Sequence, residues 1–341
     1  MSPSHRANLA TSLALIFCAG IAAASPQQKS ADVPIKIEST LVNVPVIVSD
    51  RQGRYISGLK LADFRLYDDG APQPVSFFET SEQPLNIALL LDTSRSTFEV
   101  IDDIKEAARD FLKEMRPRDR AMIVSFDYDV HELSPLTSDR RALDRAIDGA
   151  RIGDYFGTTL RDAVYEVTER SLKRIDGRKA IILLTDGKDF GSQVSETDLL
   201  AVAAESDAMI YSVFYETNSP QARRNAGRNP FPRGRRGGWG RRPNADRRSD
   251  RQARNNKEAI RFMSQLSEVS AGRFYESEVA DLKKTFNLIA EELRHQYVLG
   301  FYPDAARLDG NKHRLKVEVT TPNAAVRARR SYTAGRADRE R

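Results

Sequence analysis

One short stretch of this chain has the residue types and spacing to hold a metal: Asp92-Thr93-Ser94-Arg95-Ser96, a D-x-S-x-S. Carboxylate and hydroxyl oxygens are hard donors, suited to Mg²⁺ or Ca²⁺ rather than to Zn²⁺. The alternate spacing lets Ser94 and Ser96 present hydroxyls to one point as the chain turns. Asp and Ser are also common turn and helix-capping residues, so the segment alone leaves both readings open. Other chemistry is poorly supplied. The histidines are His5, His131, His295 and His313, none of them in H-E-x-x-H, and there is no G-x-S-x-G and no Walker A loop. Metal-assisted hydrolysis needs a general base near an activated water. His131, in a short strand, and His295, at a helix end, read as structural. A binding protein is expected, not an enzyme.

The D-x-S-x-S closes an apolar run, NIALLLD at 86–92. A continuous run of that kind reads as a strand buried on both faces of a parallel sheet. Residues 98–115 follow with Ile101, Ile104, Ala108, Phe111 and Leu112 on one helical face. Strands are expected at 121–127 and near Val130–Leu133, helices at 141–150 and 159–172, and a strand at 179–186. A helix at 196–207, a strand at 208–216, a helix at 257–270, a strand at 272–276 and a helix at 279–296 continue the alternation. Strands alternating with helices predict a doubly wound α/β fold with a mostly parallel sheet. In such a sheet ligands bind beyond the carboxyl ends of the strands, where Asp92 falls.

Two further loops share that edge. Phe156-Gly157-Thr158-Thr159-Leu160 places Gly-Thr before a helix, and Leu183-Leu184-Thr185-Asp186-Gly187 ends a central strand in Asp-Gly. The ordered set of three loops resembles the von Willebrand factor type A domain and its metal-ion-dependent adhesion site. That resemblance implies a metal held by Asp92, Ser94, Ser96, Thr158 and Asp186, with Mg²⁺ expected and Ca²⁺ or Mn²⁺ as alternatives. Ser94, Ser96 and Thr158 would coordinate directly, and Asp92 and Asp186 either directly or through water. Only two of the five ligands are carboxylates, so the dication stays Lewis acidic and open to one more anionic oxygen. The expected partner is a carboxylate, from an Asp or Glu of another protein or, as the alternative, from another acidic ligand. Arg95 reads as solvated, with a rim side chain that favours acidic partners as the alternative, and Asp189 reads as a loop cap.

Both ends of the chain carry β patterning. VNVPVIVSD (42–50), FRLYDDG (64–70) and PVSFFE (74–79) precede the α/β region, and YVLGFYP (297–303), RLKVEVTTP (314–322) and AVRARRSYT (325–333) follow it. They predict a small β-sandwich-like appendage assembled from the N- and C-terminal segments. FRLYDDG, the DTSRS core and the tail LRHQYVLGFYPD resemble a type-A-related family described from acidobacteria, from about Val42 to Thr333. The fold implied is a Rossmann-like type A domain over 85–296, flanked by β segments at 34–83 and 297–334.

Two segments stand apart. Residues 5–25 join a short basic start to an apolar run, Leu9 to Ala23, and end in small residues. A signal peptide over 1–24 is expected, with an uncleaved anchor as the alternative, and the run is short against the roughly 20 apolar residues of a membrane span. The protein is then exported, periplasmic or secreted, with no transmembrane segment in the mature chain. Cys18 is the only cysteine, so that mature chain has no disulfide.

The second segment is basic. The net charge is +5, yet residues 221–257 alone carry 12 Arg and one Lys against Asp246 and Asp250, so the remainder is acidic. Residues 218–256 hold almost no apolar side chains and read as a disordered insert. Its arginine pairs, among them Arg235-Arg236, Arg241-Arg242 and Arg247-Arg248, offer a second function class: a polyanion-binding arm for anionic envelope components. Nucleic acid is disfavoured for an exported chain, and a solvated insertion without a partner is favoured over both.

Overall fold

The computed structural model describes residues 41–80, 82–217, 243–304, 307 and 309–333, with the side chains of 243–251 excepted. The expected signal peptide and Arg235, Arg236, Arg241 and Arg242 lie outside the described residues.

The central sheet has six strands: β5 (Leu85–Asp92), β6 (Arg120–Phe126), β7 (Val130–Thr137), β8 (Arg178–Thr185), β9 (Ala208–Tyr215) and β10 (Phe274–Ser277). Their order is β10-β9-β8-β5-β6-β7, parallel except for β7, which pairs antiparallel with β6. Every residue of β5, β8 and β9 is buried. Side chains alternate between the faces of a strand, and both faces here are apolar. Ile87, Leu89 and Leu91 join one core with α1 (Ile101–Glu114), α2 (Arg140–Gly149) and α6 (Leu282–Leu293). Ala88 and Leu90 join the other with α3 (Leu160–Glu166), α4 (Glu196–Glu205) and α5 (Pro243–Val269). The chain leaves β5 toward β6 and later returns to β8 on β5's other side. The order therefore reverses beside the end of β5.

Two four-stranded antiparallel sheets take up the chain on either side of this domain. One has the order β13-β1-β11-β4, from β1 (Val42–Ser49), β4 (Phe77–Glu79), β11 (Tyr297–Phe301) and β13 (Ala325–Ala328). The other is β14-β12-β2-β3, from β2 (Phe64–Asp68), β3 (Ala71–Gln73), β12 (Lys312–Val319) and β14 (Ser331–Thr333). Each sheet joins two early strands to two late ones, alternating in the first and meeting at the β12–β2 pair in the second, and Val44, Val46, Val48, Phe64, Leu66, Leu299, Phe301 and Leu315 share their core. The Asp69-Gly70 turn joins β2 to β3 with φ of 46° and 85°, the two positive angles of a type I′ hairpin. Of the strand expected at 74–79 only Phe77–Glu79 forms β4; β3 lies before it at Ala71–Gln73, and residues 74–76 are outside either strand.

Two expectations need correction. Residues 243–256, read as part of a disordered insert, are the first half of α5, so Arg247 and Arg248 stand on a helix and not in a loop. The apolar face that anchors this helix lies further on, at Phe262, Met263 and Leu266. Extending an anchored helix through Ala, Arg and Gln costs little, because only nucleation is expensive. Low apolar content does not by itself exclude a helix, and residues 252–255 are exposed. The helix expected at 159–172 is α-helical to Glu166 and widens into a π-helical turn over Val167–Leu172. No helix among the described residues is long and apolar enough to cross a membrane.

Candidate functional site

Asp92 is the last residue of β5 and Asp186 follows the last residue of the neighbouring β8. Both carboxylates are buried. After Asp92 the chain turns sharply: Ser94 N donates to Asp92 Oδ1 at 2.9 Å, and Thr97 Oγ1 donates to Ser94 O at 2.8 Å and Asp92 O at 3.1 Å. This Asx turn brings Ser94 Oγ and Ser96 Oγ to 3.0 Å from each other. Thr185 Oγ1 donates to Asp92 Oδ2 at 2.6 Å, and Gly187 N donates back to Thr185 Oγ1 at 2.9 Å. Gly187 has φ of 74°, and a Cβ there would sit 2.6 Å from Cβ of Ala259 on α5. Only glycine allows the Asp186 loop to turn this closely under the helix.

Main-chain bonds lace the three loops. Thr93 N donates to Phe126 O at 2.9 Å, Gly153 N to Thr93 O at 3.0 Å, Thr159 N to Asp127 O at 2.7 Å and Phe190 N to Thr158 O at 3.0 Å. Thr158 is buried between them. Asp189 does cap its loop, accepting from Arg161 N at 3.0 Å and Ser192 Oγ at 2.8 Å.

The electrostatics favour a cation. Burial, and after it the charge of Asp186, pushes the Asp92 carboxyl up to about 7. Tyr215, wholly buried at the end of β9, has a hydroxyl without a hydrogen-bond partner, and burial followed by the charges of Asp92 and Asp186 raises its pKa. A partnerless buried hydroxyl beside two carboxylates, two hydroxyls 3.0 Å apart and a buried threonine make a hard-oxygen donor set. That set fits a divalent cation such as Mg²⁺. One cation already belongs to the chain: Lys188 Nζ donates to Asp186 Oδ2 and to Thr217 Oγ1, and Thr217 Oγ1 reaches the same Oδ2 at 3.1 Å.

Several neighbours of this site escaped the sequence reading. Thr185, Lys188, Thr217 and Tyr215 carry no motif, and what they touch depends on side-chain direction. The rim is aromatic. Phe98, Tyr128, Tyr155, Phe156 and Phe190 are 51–83% exposed and are five of the eight exposed large hydrophobic residues among the described residues. All five sit in the loops that carry, or adjoin, the candidate ligands. The signal was present in sequence as aromatics within Gly- and Asp-rich loops, DYFGTT and DGKDFG. Arg95 is exposed as expected, but its guanidinium is not simply solvated: it stacks 4.5 Å from the centroid of Phe156. Of the two histidines read as structural, His295 stacks on Tyr55 and meets Glu291 at 3.0 Å, and His131 lies 3.5 Å from Asp127.

Residues 87–188 match a family model described as the von Willebrand factor type A domain. No curated protein matches the chain. Among solved structures the chain is similar to BatB from Bacteroides thetaiotaomicron, at 18% identity and TM-score 0.43, covering 61% of this chain and 97% of that one. It is also similar to the vWF domain of the type V pili tip protein Mfa5 from Porphyromonas gingivalis, at 12% identity and TM-score 0.41, covering 61% and 94%. A third is a von Willebrand factor type A protein from Catenulispora acidiphila, at 10% identity and TM-score 0.45, covering 87% and 75%.

Proposed function

The chain contains a von Willebrand factor type A domain, and we propose that it works as an exported, metal-dependent protein-binding module. Asp92, Ser94, Ser96, Thr158 and Asp186 would hold Mg²⁺. The bound dication supplies a Lewis-acidic position for one carboxylate oxygen of an Asp or Glu on the partner. The observation that carries this reading is the pair of buried carboxylates, Asp92 and Asp186, set beside the paired hydroxyls of Ser94 and Ser96 and edged by exposed aromatics.

The residues divide the work. Thr185 fixes the Asp92 carboxylate, and the Asx turn aims Ser94 and Ser96. Phe98, Tyr128, Tyr155, Phe156 and Phe190 supply apolar contact area around the central polar point. An interface of that build, with aromatic anchors around a charge-pairing centre, shields the central contact from water. Protein surfaces that present an acidic residue among apolar ones are the partners this rim suits. Arg95, held over Phe156, adds positive charge at the same edge. The role is binding without turnover, by a mature chain that begins after residue 24.

The test is capture from an envelope extract. Intact protein in Mg²⁺ retains a partner, and EDTA or Asp92→Ala releases it. A partner retained under both conditions would sink the proposal.

A further inference from the structure

The β-sandwich brings together a second group of ligand-type side chains, far from the type A loops in sequence. Asp68 ends β2, Asp69 begins the turn after it, and His313 lies on β12, which pairs with β2. One carboxylate oxygen of each Asp and one ring nitrogen of His313 all lie within 4.8 Å of one another. We infer that Asp68, Asp69 and His313 form a site for a divalent transition metal, of which Zn²⁺ is the natural probe.

In each of the three residues a second polar atom is already held. Asp68 is wholly buried; its Oδ2 accepts from Tyr332 OH at 2.8 Å, while its Oδ1 has no hydrogen-bond partner. A buried carboxylate oxygen without a donor is costly unless something else binds it. Asp69 Oδ1 accepts from Arg314 N at 2.9 Å, which leaves Oδ2 facing His313 Nδ1 at 2.9 Å. His313 Nε2 meets Asp309 Oδ1 at 3.1 Å, so Nδ1 is the nitrogen turned toward Asp69. A ligating histidine characteristically donates its other N–H to a carboxylate, which fixes its tautomer and raises its basicity. Asp68 Oδ1 is thus left over, and Asp69 Oδ2 and His313 Nδ1 face each other, each on a side chain already held from behind. An imidazole among the donors favours zinc and its neighbours over Mg²⁺ or Ca²⁺.

Arg307 stands in the way. Its Nη1 donates to Asp69 Oδ2 at 2.6 Å, and its Nε lies 3.9 Å from Asp68 Oδ2. The guanidinium supplies the positive charge that this cluster of Asp68, Asp69 and Asp309 requires without metal. A bound metal displaces it from Asp69 and takes His313 as the neutral imidazole. Tyr67, Lys312, Arg314 and Lys316 line the open groove alongside, through which solvent reaches Asp69 and His313.

The test is zinc binding by the full chain carrying Cys18→Ser, measured by equilibrium dialysis with elemental analysis and by competition with a chromophoric chelator. Asp92→Ala removes the type A site from the count. That variant is expected to bind one zinc ion, and adding His313→Gln or Asp68→Asn weakens the binding at least about tenfold. Arg307→Gln, which removes the competing cation, tightens it by about two- to fivefold. That gain cannot come from misfolding. An Asp92→Ala chain that binds no zinc, unchanged affinity in His313→Gln, or an Arg307→Gln chain that binds no tighter overturns the inference.

Discussion

Thr185 Oγ1 donates a 2.6 Å hydrogen bond to Asp92 Oδ2, from the end of β8 to the end of β5. Both residues are fully buried, so neither can trade this bond for water. The same hydroxyl accepts from Gly187 N, which ties the Asp92 carboxylate to the backbone of the Asp186 loop. At the proposed metal site such a bond would orient a ligand without touching the metal. Losing an outer partner of this kind costs roughly 10–100-fold in metal affinity. Thr185→Val is isosteric and keeps the strand packed, so it is expected to weaken Mg²⁺ or Mn²⁺ binding by that factor while the chain stays folded. Thr185→Ser restores the hydroxyl and most of the affinity. Titration calorimetry on the three proteins checks the order, and equal affinity of wild type and Thr185→Val contradicts it.

Lys188 competes for the other carboxylate. Its ammonium and a metal cannot both hold Asp186 Oδ2 at full strength. Lys188→Met is expected to tighten Mg²⁺ binding several-fold, on the order of 1 kcal/mol for a partly exposed ion pair. The same change lowers the stability of the metal-free chain, because Asp186 then lacks its counter-charge. Melting curves with EDTA and with excess Mg²⁺ separate the two effects, whose signs must be opposite.

The pH dependence follows from Asp92. Burial, with the neighbouring Asp186, raises its pKa to about 7 in the metal-free chain, above the value of an unfolded aspartate. The folded state therefore holds the proton more tightly, and ionising Asp92 costs stability. That cost begins as pH rises past the unfolded pKa, and it is complete only above about 7. In EDTA, Asp92→Asn should gain stability relative to wild type between pH 5 and pH 8, and the difference should vanish toward roughly pH 4. Excess Mg²⁺ should reverse the ranking at pH 8. Denaturant melts across this range read the sign directly.

Much of this arrangement is legible in the amino-acid order, and the reason is local. The runs that become β5, β8 and β9 are apolar throughout because both faces of a parallel strand are covered. Asp92, Ser94 and Ser96 are read together because three residues of one turn hold them. The chain ends combine into a sandwich because β patterning marks each strand. What stays hidden depends on distance or on side-chain direction. His313 and Asp69 are 244 residues apart, and their meeting follows only from the pairing of β12 with β2. Lys188 folds back on Asp186 through a flexible stem that no spacing rule describes. Residues 243–256 misled because composition reports burial and not helicity.

Under the proposed function, the aromatic rim should separate partner binding from metal binding. Phe156 and Phe190 flank Thr158 and Asp186 in sequence, are 83% and 66% exposed, and lie outside the donor set. Truncating exposed rings leaves the core unchanged, so a double Phe156→Ala, Phe190→Ala variant should keep wild-type stability and Mg²⁺ affinity. Buried aromatic anchors at interfaces are each worth roughly 2 kcal/mol or more, so capture of the partner should fall by about 30-fold or further. The decisive comparison sets the double variant beside Asp92→Ala: both lose the partner, and only Asp92→Ala loses the metal.

Glu292 couples the sandwich to the type A domain. It lies on α6, fully buried, and accepts from Tyr211 OH on β9 at 2.7 Å and from Tyr55 OH at 2.9 Å. Arg327 of β13 also donates to it, and Arg273 Nε lies 3.3 Å away. Burial and the Glu292 charge both raise the pKa of Tyr211, so its hydroxyl remains the donor. Glu292 is fully buried, but Arg327 and Arg273 are 27% and 47% exposed, so removing their acceptor costs less than the roughly 3–5 kcal/mol of a fully buried pair. Glu292→Ala should still lose stability in urea denaturation at pH 7, since Arg327 and two tyrosine hydroxyls are left without their acceptor. Adding Arg327→Met removes the stranded charge, and the double variant should recover part of the loss. Additive losses in the two variants would show that the pair acts as separate surface contacts and does not join the two parts of the fold.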